Sequence, residues 1–275
     1  MKTKYNPETK EIEDITEEEF LRTHREQIDF DKIKRIVFKV GSDLLDEVYI
    51  SKLAEQLLRL RRLGKQVVLV SSGAIKTSKE VLTLEGDDAL NQAYAAIGQH
   101  MLMTKYALAF RAPNIAQTLF TDEDLSGKNP MRYLNARNTL NLLINNNIIP
   151  IVNENDSVAV DEIKVGDNDT LSALIAKMVG ADVLVMLSKN GLYDKKPDEG
   201  NGERPINIVP CIDDTIRGFG VEEPTGYGVG GPKTKIEAAE ILEGSVPVLL
   251  MNGRDFNYEA MFKGKYDGTL FCTKK

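Results

Sequence analysis

"IIPIVNENDSVAVDEIKVGDNDTLSALIAKMVGADVLVMLS", residues 148–188, is the stretch whose reading decides the fold. It opens on a short apolar run (148–153) with no helical spacing. A polar cluster follows: Asn153, Glu154, Asn155 and Asp156. Next comes an alternating run (158–165), read as a β-hairpin with the polar pair Asp161 and Glu162 at its tip. A second polar cluster, Asp167, Asn168 and Asp169, then opens a segment with helical spacing (170–180) that stops at Gly180. A second apolar run (182–188) closes the stretch. Strands that are apolar on both faces, joined through a helix, belong to a parallel sheet covered on both sides.

The same alternation continues outward. "RIVFKV" (35–40), "QVVLV" (66–70), "NIAQTLF" (114–120) and "VPVLLMN" (246–252) read as strands. "ISKLAEQLLRLRRLG" (50–64), "ALNQAYAAIGQHMLMTKYALAF" (89–110), "MRYLNARNTLNLLINN" (131–146) and "PKTKIEAAEILEG" (232–244) read as helices. The segment 190–231 is rich in Gly, Pro and Asp and carries one short strand, "PINIV" (205–209). The class is therefore α/β with a mainly parallel sheet. Residues 1–30 are polar and acidic. They are expected to lie outside the core as an extension, with a short helix opening at Thr16 and Glu19 at the capping-box position. Residues 31–275 are expected to form a single domain.

Composition narrows the function. A chain of 275 residues with 42% hydrophobic content can bury a substantial core. The net charge of −7, with no basic run, argues against a nucleic-acid partner. No apolar run approaches the ~18 residues of a membrane span, and the start has no apolar leader. The two cysteines, Cys211 and Cys272, have neither a disulfide framework nor zinc spacing, so a reducing, cytoplasmic setting is expected. Only His24 and His100 are present, which excludes a multi-histidine metal site and leaves no ordinary Ser-His-Asp arrangement. Chemistry must rest on Lys, Asp, Ser, Asn, backbone amides or a borrowed metal ion.

In open parallel sheets, ligands bind beyond the carboxyl ends of the strands. Those ends carry Lys39, Gly41 and Ser42; Ser71, Ser72 and Gly73; the Asn153–Asp156 cluster; and Ser188, Lys189 and Asn190. Lys39 beside a glycine turn suits a phosphate. "SSGA" feeds a helix N-terminus, where Ser71 or Ser72 would serve as the cap. The hairpin would bring the two polar clusters side by side, as a pocket for a small zwitterion or as a scaffold for lysines around a phosphate. "GYGVGGPKTK" (226–235) nearly resembles a P-loop, but Pro232 separates Gly231 from Lys233. An EF-hand spacing and a G-x-G-x-x-G fingerprint are both missing. Phosphoryl transfer fits this inventory, because it needs positioning and positive charge more than covalent chemistry.

The stretches "KVGS", "SSGAI", "AAIGQ", "RYLNARNTL", "PIVNENDSVAVDEIKVGDNDTLSALIA", "GLYDKKP", "GVGGPKTKIEAA" and "GTLF" resemble the amino acid kinase family, from about residue 34 to about residue 272. The long central stretch is similar to the members that phosphorylate glutamate on its side-chain carboxylate, the first step of proline synthesis. The resemblance implies a three-layer α/β/α sandwich. It implies ATP with Mg2+, the metal held mainly by the nucleotide phosphates and not by a protein metal site. The amino acid would bind in the N-terminal part and the nucleotide in the part after about residue 180. Lys39 and Lys235 would flank the transferring group, and Asp169 would hold them. Ser72, Gly73, Asp156 and Asn168 would bind L-glutamate. Lys39, Gly41, Ser188, Lys189, Val229, Gly230, Gly231, Pro232, Lys233, Thr234 and Lys235 would line the nucleotide site. Proline as a feedback inhibitor and a homo-dimer or homo-tetramer are further implications. Three departures stand out. "LSKNG" places Lys189 where the family usually has Asp, which bears on nucleotide affinity or specificity. The chain ends soon after "GTLF", so a C-terminal PUA domain is not expected. The N-terminal extension has no counterpart in the resemblance. The competing readings are a kinase of another small carboxylate and a non-catalytic glutamate or proline sensor. The presence of Lys39, Asp169 and Lys235 together favours the enzyme.

Overall fold

A computed structural model describes residues 2–86, 89–111, 114–158, 167–189, 191–193, 206–219 and 231–273. Ten strands form one sheet: β1 (Lys2–Asn6), β2 (Glu11–Ile15), β3 (Arg35–Val40), β4 (Gln66–Ser71), β5 (Ile115–Phe120), β6 (Ile149–Glu154), β7 (Val183–Ser188), β8 (Ile208–Val209), β9 (Val248–Asn252) and β10 (Gly268–Phe271). The helices are α1 (Glu17–Gln27), α2 (Glu47–Arg62), α3 (Ala74–Lys79), α4 (Leu90–Phe110), α5 (Asp122–Leu125), α6 (Pro130–Asn145), α7 (Asn168–Val179), α8 (Asp214–Gly218), α9 (Pro232–Leu242) and α10 (Tyr258–Phe262). The strand order is β2-β1-β8-β10-β9-β7-β3-β4-β6-β5. Pairing is parallel except for β1 with β2 and β9 with β10. The expected α/β/α sandwich with a mainly parallel sheet is what the chain adopts.

Alternation along the strands divides the core in two. Ile36, Phe38 and Val40 of β3 pack with residues of α1, α2, α4 and α10 on one face. Val37 of β3 packs with residues of α6, α7, α8 and α9 on the other. Because side chains alternate, Lys39 shares the face of Val37. The strand runs are fully apolar because both sheet faces are covered. β3 lies at the point where the strand order reverses, with β4 on one side and β7 on the other. That is where a ligand crevice forms in such sheets.

The expectation that residues 1–30 lie outside the core is corrected. β1 pairs in parallel with β8, and Thr3 and Asn207 exchange hydrogen bonds. Tyr5, Phe20 and Ile28 are fully buried. The helix does open at Thr16, whose hydroxyl accepts from the Glu19 amide at 3.1 Å. "PINIV" contributes only Ile208 and Val209 as strand, and the hairpin expected over 158–165 lies almost wholly outside the described residues. Among the described residues, no helix is long and apolar enough to cross a membrane.

His24 of α1 is fully buried, its ring centroid 5.5 Å from that of Tyr266 and 6.1 Å from that of Phe20. Burial pushes its pKa down to about 4, against an opposing pull from the backbone of Phe262 and Met261. The unfolded chain therefore takes up the proton first. The stabilisation is complete above the ordinary histidine value and is lost as pH falls from about 6.5 to about 4, amounting to about 3 kcal/mol. Urea midpoints measured across that window should fall for the native chain and fall less for His24→Phe. Parallel declines would exclude His24 as the cause.

Candidate active site

Three charged side chains from distant parts of the chain meet on the α7–α9 side of the sheet. Asp169, fully buried in the first turn of α7, lies with Oδ1 2.6 Å from Lys39 Nζ and Oδ2 3.2 Å from Lys235 Nζ. Both lysines are almost buried, at 8% and 9% exposed. Thr234 donates its hydroxyl to Asp169 Oδ2 at 2.7 Å. Local sequence sets each position. Asp167 caps α7 by accepting from the Thr170 amide at 2.9 Å, which puts Asp169 in the first turn, near the positive end of the helix. Gly231 is the N-cap of α9 and Pro232 its first residue, so Thr234 and Lys235 fall in the opening turn.

Burial alone would disfavour the charged form of Asp169. The charges of Lys39 and Lys235 and the bonds from Lys39 and Thr234 prevail, and hold its pKa well below the usual carboxylate range. Asp167 moves the other way, raised by burial and by the neighbouring Asp169 charge. Two ammonium groups thus share the Asp169 carboxylate, and paired cations of this kind suit the receipt of an anion.

A chain of amides joins this centre to the carboxyl end of β4. Asn168 Nδ2 donates to Ser72 Oγ and to Asn153 Oδ1, both at 3.0 Å, and Asn153 Nδ2 donates to Gln99 Oε1 at 2.9 Å. The sequence reading picked out Asn168 and Ser72 but missed Gln99, whose only signal is its place in "AAIGQ". Gln99 reaches Asn153 because α3 and α4 touch through their backbones: a Cβ on Gly98 would stand 1.7 Å from the Ala74 carbonyl oxygen. The expected cap of α3 by Ser71 or Ser72 is corrected. Gly73 is the N-cap, with φ 103°, and a Cβ there would also approach Leu45 Cδ1 to 2.7 Å. Ser71 turns inward and shares a hydrogen bond with the Tyr106 hydroxyl at 2.7 Å.

The other expected site residues are spread around this centre. Asp156 opens onto a cavity of about 320 Å³ that Gln99, His100, Gln117 and Glu154 also line. Neither lysine nor Asp169 lines that cavity. Gly41 lies two residues after Lys39, and a Cβ on it would lie 4.0 Å from Lys39 Nζ. Ser188 ends β7, and Lys189 beyond it pairs with Asp43 at 2.8 Å. Lys233 is largely exposed and pairs with Glu237 at 3.8 Å. Val229 and Gly230 lie outside the described residues. Among the described residues, no group of three His, Cys, Asp or Glu side chains could hold a metal ion. Mg2+ typically binds through phosphates and one or two carboxylates, so this donor set fits a metal carried in on a nucleotide.

The amino acid kinase family profile matches residues 34–252. The chain is 39% identical over 261 residues to the glutamate 5-kinase of Desulfotalea psychrophila, covering 90% of this chain and 69% of that protein. It is 39% identical over 260 residues to the glutamate 5-kinase of Alkaliphilus metalliredigens, covering 89% of this chain and 97% of that protein. Among solved structures, a UMP kinase from Bacillus anthracis superposes with a TM-score of 0.58 at 12% identity, covering 88% of this chain and 97% of that one. An N-acetylglutamate synthase from Neisseria gonorrhoeae gives 0.62 at 15%, covering 94% and 66%. At such identities these structures speak for the fold alone.

Asp169→Asn keeps the shape of the side chain and removes the carboxylate that two buried lysines share. It should cost about 3–5 kcal/mol in denaturant unfolding. The apolar triple variant Lys39→Met/Asp169→Leu/Lys235→Met should lose less. An Asn variant as stable as the native chain would show that the three charges are not a unit.

Proposed function

The chain belongs to the amino acid kinase family, beside its glutamate 5-kinases, and we infer that it transfers the γ-phosphoryl group of ATP to the side-chain carboxylate of L-glutamate. The product is L-glutamyl 5-phosphate, the first step of proline biosynthesis. The observation that carries this reading is the Asp169 carboxylate holding Lys39 and Lys235 in one place.

The reaction brings two anions together. A glutamate carboxylate has an ordinary pKa near 4.3, so at neutral pH it is already ionised and needs no base. That agrees with a centre built without histidine. Asp169, held well below the usual range, keeps its negative charge and serves as an anchor, not as a proton acceptor. A carboxylate oxygen of glutamate attacks the γ-phosphorus, the bond to the bridging oxygen breaks, and ADP departs with that electron pair. In our reading Lys39 and Lys235 offset the charge on the oxygens in flight and oppose the repulsion between the reactants. Mg2+, chelated by the nucleotide, supplies further charge neutralisation. Ser72, Gly73 and Asn168 would receive the substrate beside this centre, and Asp156 would pair with its ammonium group. Gly41, Ser188, Lys189 and the residues from Val229 to Lys235 would hold the nucleotide. Inhibition by proline, a dimeric or tetrameric assembly and a cytoplasmic location extend the same reading.

ADP release in the presence of MgATP, with hydroxylamine to trap an acyl phosphate, tests the assignment. It should depend on L-glutamate and yield the hydroxamate, with N-acetylglutamate and aspartate far weaker. No hydroxamate from a folded protein would refute it. Lys39→Ala and Lys235→Ala should each lower kcat by about 10²-fold or more, with little change in the KM for glutamate. Near-normal turnover in both would remove the electrostatic role. Asp156→Ala should mainly raise the KM for glutamate, and an unchanged KM would take Asp156 out of the substrate pocket.

A further inference from the structure

A second lysine–aspartate–lysine arrangement stands beyond the carboxyl end of β3. Asp43 belongs to the single 3-10 turn Ser42–Leu44 that follows Gly41. Its Oδ2 lies 2.8 Å from Lys189 Nζ and its Oδ1 3.7 Å from Lys76 Nζ. Lys76 also donates to the Ser42 carbonyl at 3.3 Å. Lys189 extends from the end of β7 and Lys76 from α3, which follows β4. Both strands flank β3, Val40 pairing with Leu187 on one side and Ser71 on the other. The three side chains therefore stand at the carboxyl-end edge of the sheet, the edge at which Lys39 of β3 also lies, and Asp43 and Lys76 line a cavity together with Asp46, Glu47, Glu80, Lys105 and Arg254.

The outer group differs from the inner one in burial. The side chains of Lys76, Asp43 and Lys189 are 48%, 58% and 67% exposed. Ion pairs this exposed add little to stability, so folding is a poor explanation for this one, and its partners can exchange at small cost. Asp43 is anionic at neutral pH, held below the usual carboxylate range first by its bond from Lys189 and then by the Lys189 and Lys76 charges. Its backbone is anchored independently. Arg254 donates to the Asp43 carbonyl at 3.1 Å while pairing with Asp46, and Ser42 Cα lies within 3.7 Å of where a Cβ on Gly73 would stand. The carboxylate can swing away while the turn stays. A triphosphate carries more negative charge than the two inner lysines can offset.

We propose that Lys76 and Lys189 form an outer polyphosphate subsite, that the Asp43 carboxylate competes for it, and that an incoming nucleoside triphosphate takes both lysines from Asp43. The proposal rests on the nucleotide reading of this crevice. It makes Asp43 an internal competitor, so the lysines and the aspartate act in opposite directions.

Calorimetric titration of the full chain with MgADP, and separately with inorganic tripolyphosphate, tests this. Lys189→Ala should weaken binding about three- to tenfold and Lys76→Ala by a smaller factor, whereas Asp43→Asn should tighten it about two- to fivefold. The tightening should shrink at high salt and should largely disappear in Asp43→Asn/Lys189→Ala. Asp43→Asn and Lys189→Ala both weakening binding would mean that the pair merely braces the turn, and would overturn the proposal. So would affinities unchanged within twofold, or an opposition seen with MgADP but not with tripolyphosphate. Native hydroxamate formation separates the two readings. A native enzyme that is active, with variants that bind MgADP alike, removes only the subsite. Opposite shifts in a chain that forms no hydroxamate remove only the kinase.

Discussion

A carboxylate buried without compensation is too costly to keep, and Asp169 is fully buried. The end of β3, the start of α7 and the start of α9 must therefore arrive together, because each supplies part of the charge balance. Removing any one leaves the others stranded in a medium where electrostatic interactions are strong. The same constraint that joins the layers also fixes two ammonium groups side by side. Bringing like charges together is what a phosphoryl-transfer centre needs.

Burial grades the site from inside to outside. The inner lysines are almost buried and share one carboxylate. The outer lysines, Lys76 and Lys189, share Asp43 in contact with water, where pairing is weak and reversible. One chemical pattern can thus position charge in one place and exchange it in another, the difference lying in the surrounding dielectric and not in the residue types. The N-terminal hairpin supports the same half of the molecule. Tyr5 donates to Asp213 at 2.8 Å, Asp213 caps α8, and Arg217 of α8 pairs with Glu240 of α9 at 2.6 Å, on the helix that carries Lys235.

Much of the fold was legible because a strand covered on both faces is a continuous apolar run. "RIVFKV" became β3 without a change of boundary, and "DVLVMLS" became β7 within one residue. "KTKYN" escaped for the opposite reason. In β1 only Thr3 and Tyr5 are buried, a half-covered pattern in which a single aromatic carries the packing. α3, α5, α8 and α10 are at most six residues long, below the length at which helical periodicity declares itself. The cap of α3 was misread because Ser71 and Ser72 are good caps in isolation, whereas the close approach of Leu45 and Ser42 demands a glycine in the left-handed region.

By itself the sequence determined the alternation of strands and helices, the mainly parallel sheet, and the polar ends that its strands present. It also singled out Lys39, Asp169 and Lys235, since the motifs around them carry the family likeness. These are local properties: an apolar run, a cap and a turn are written in neighbouring residues. Only the tertiary structure decided which charges meet. That Asp169 is shared by two lysines, that Asn168 reaches Ser72, and that Lys189 pairs with Asp43 all depend on contacts between residues far apart in the chain. Local patterning does not encode such distances. The sheet order and the burial of each pair set them, and through them the strength of every charge interaction in the site.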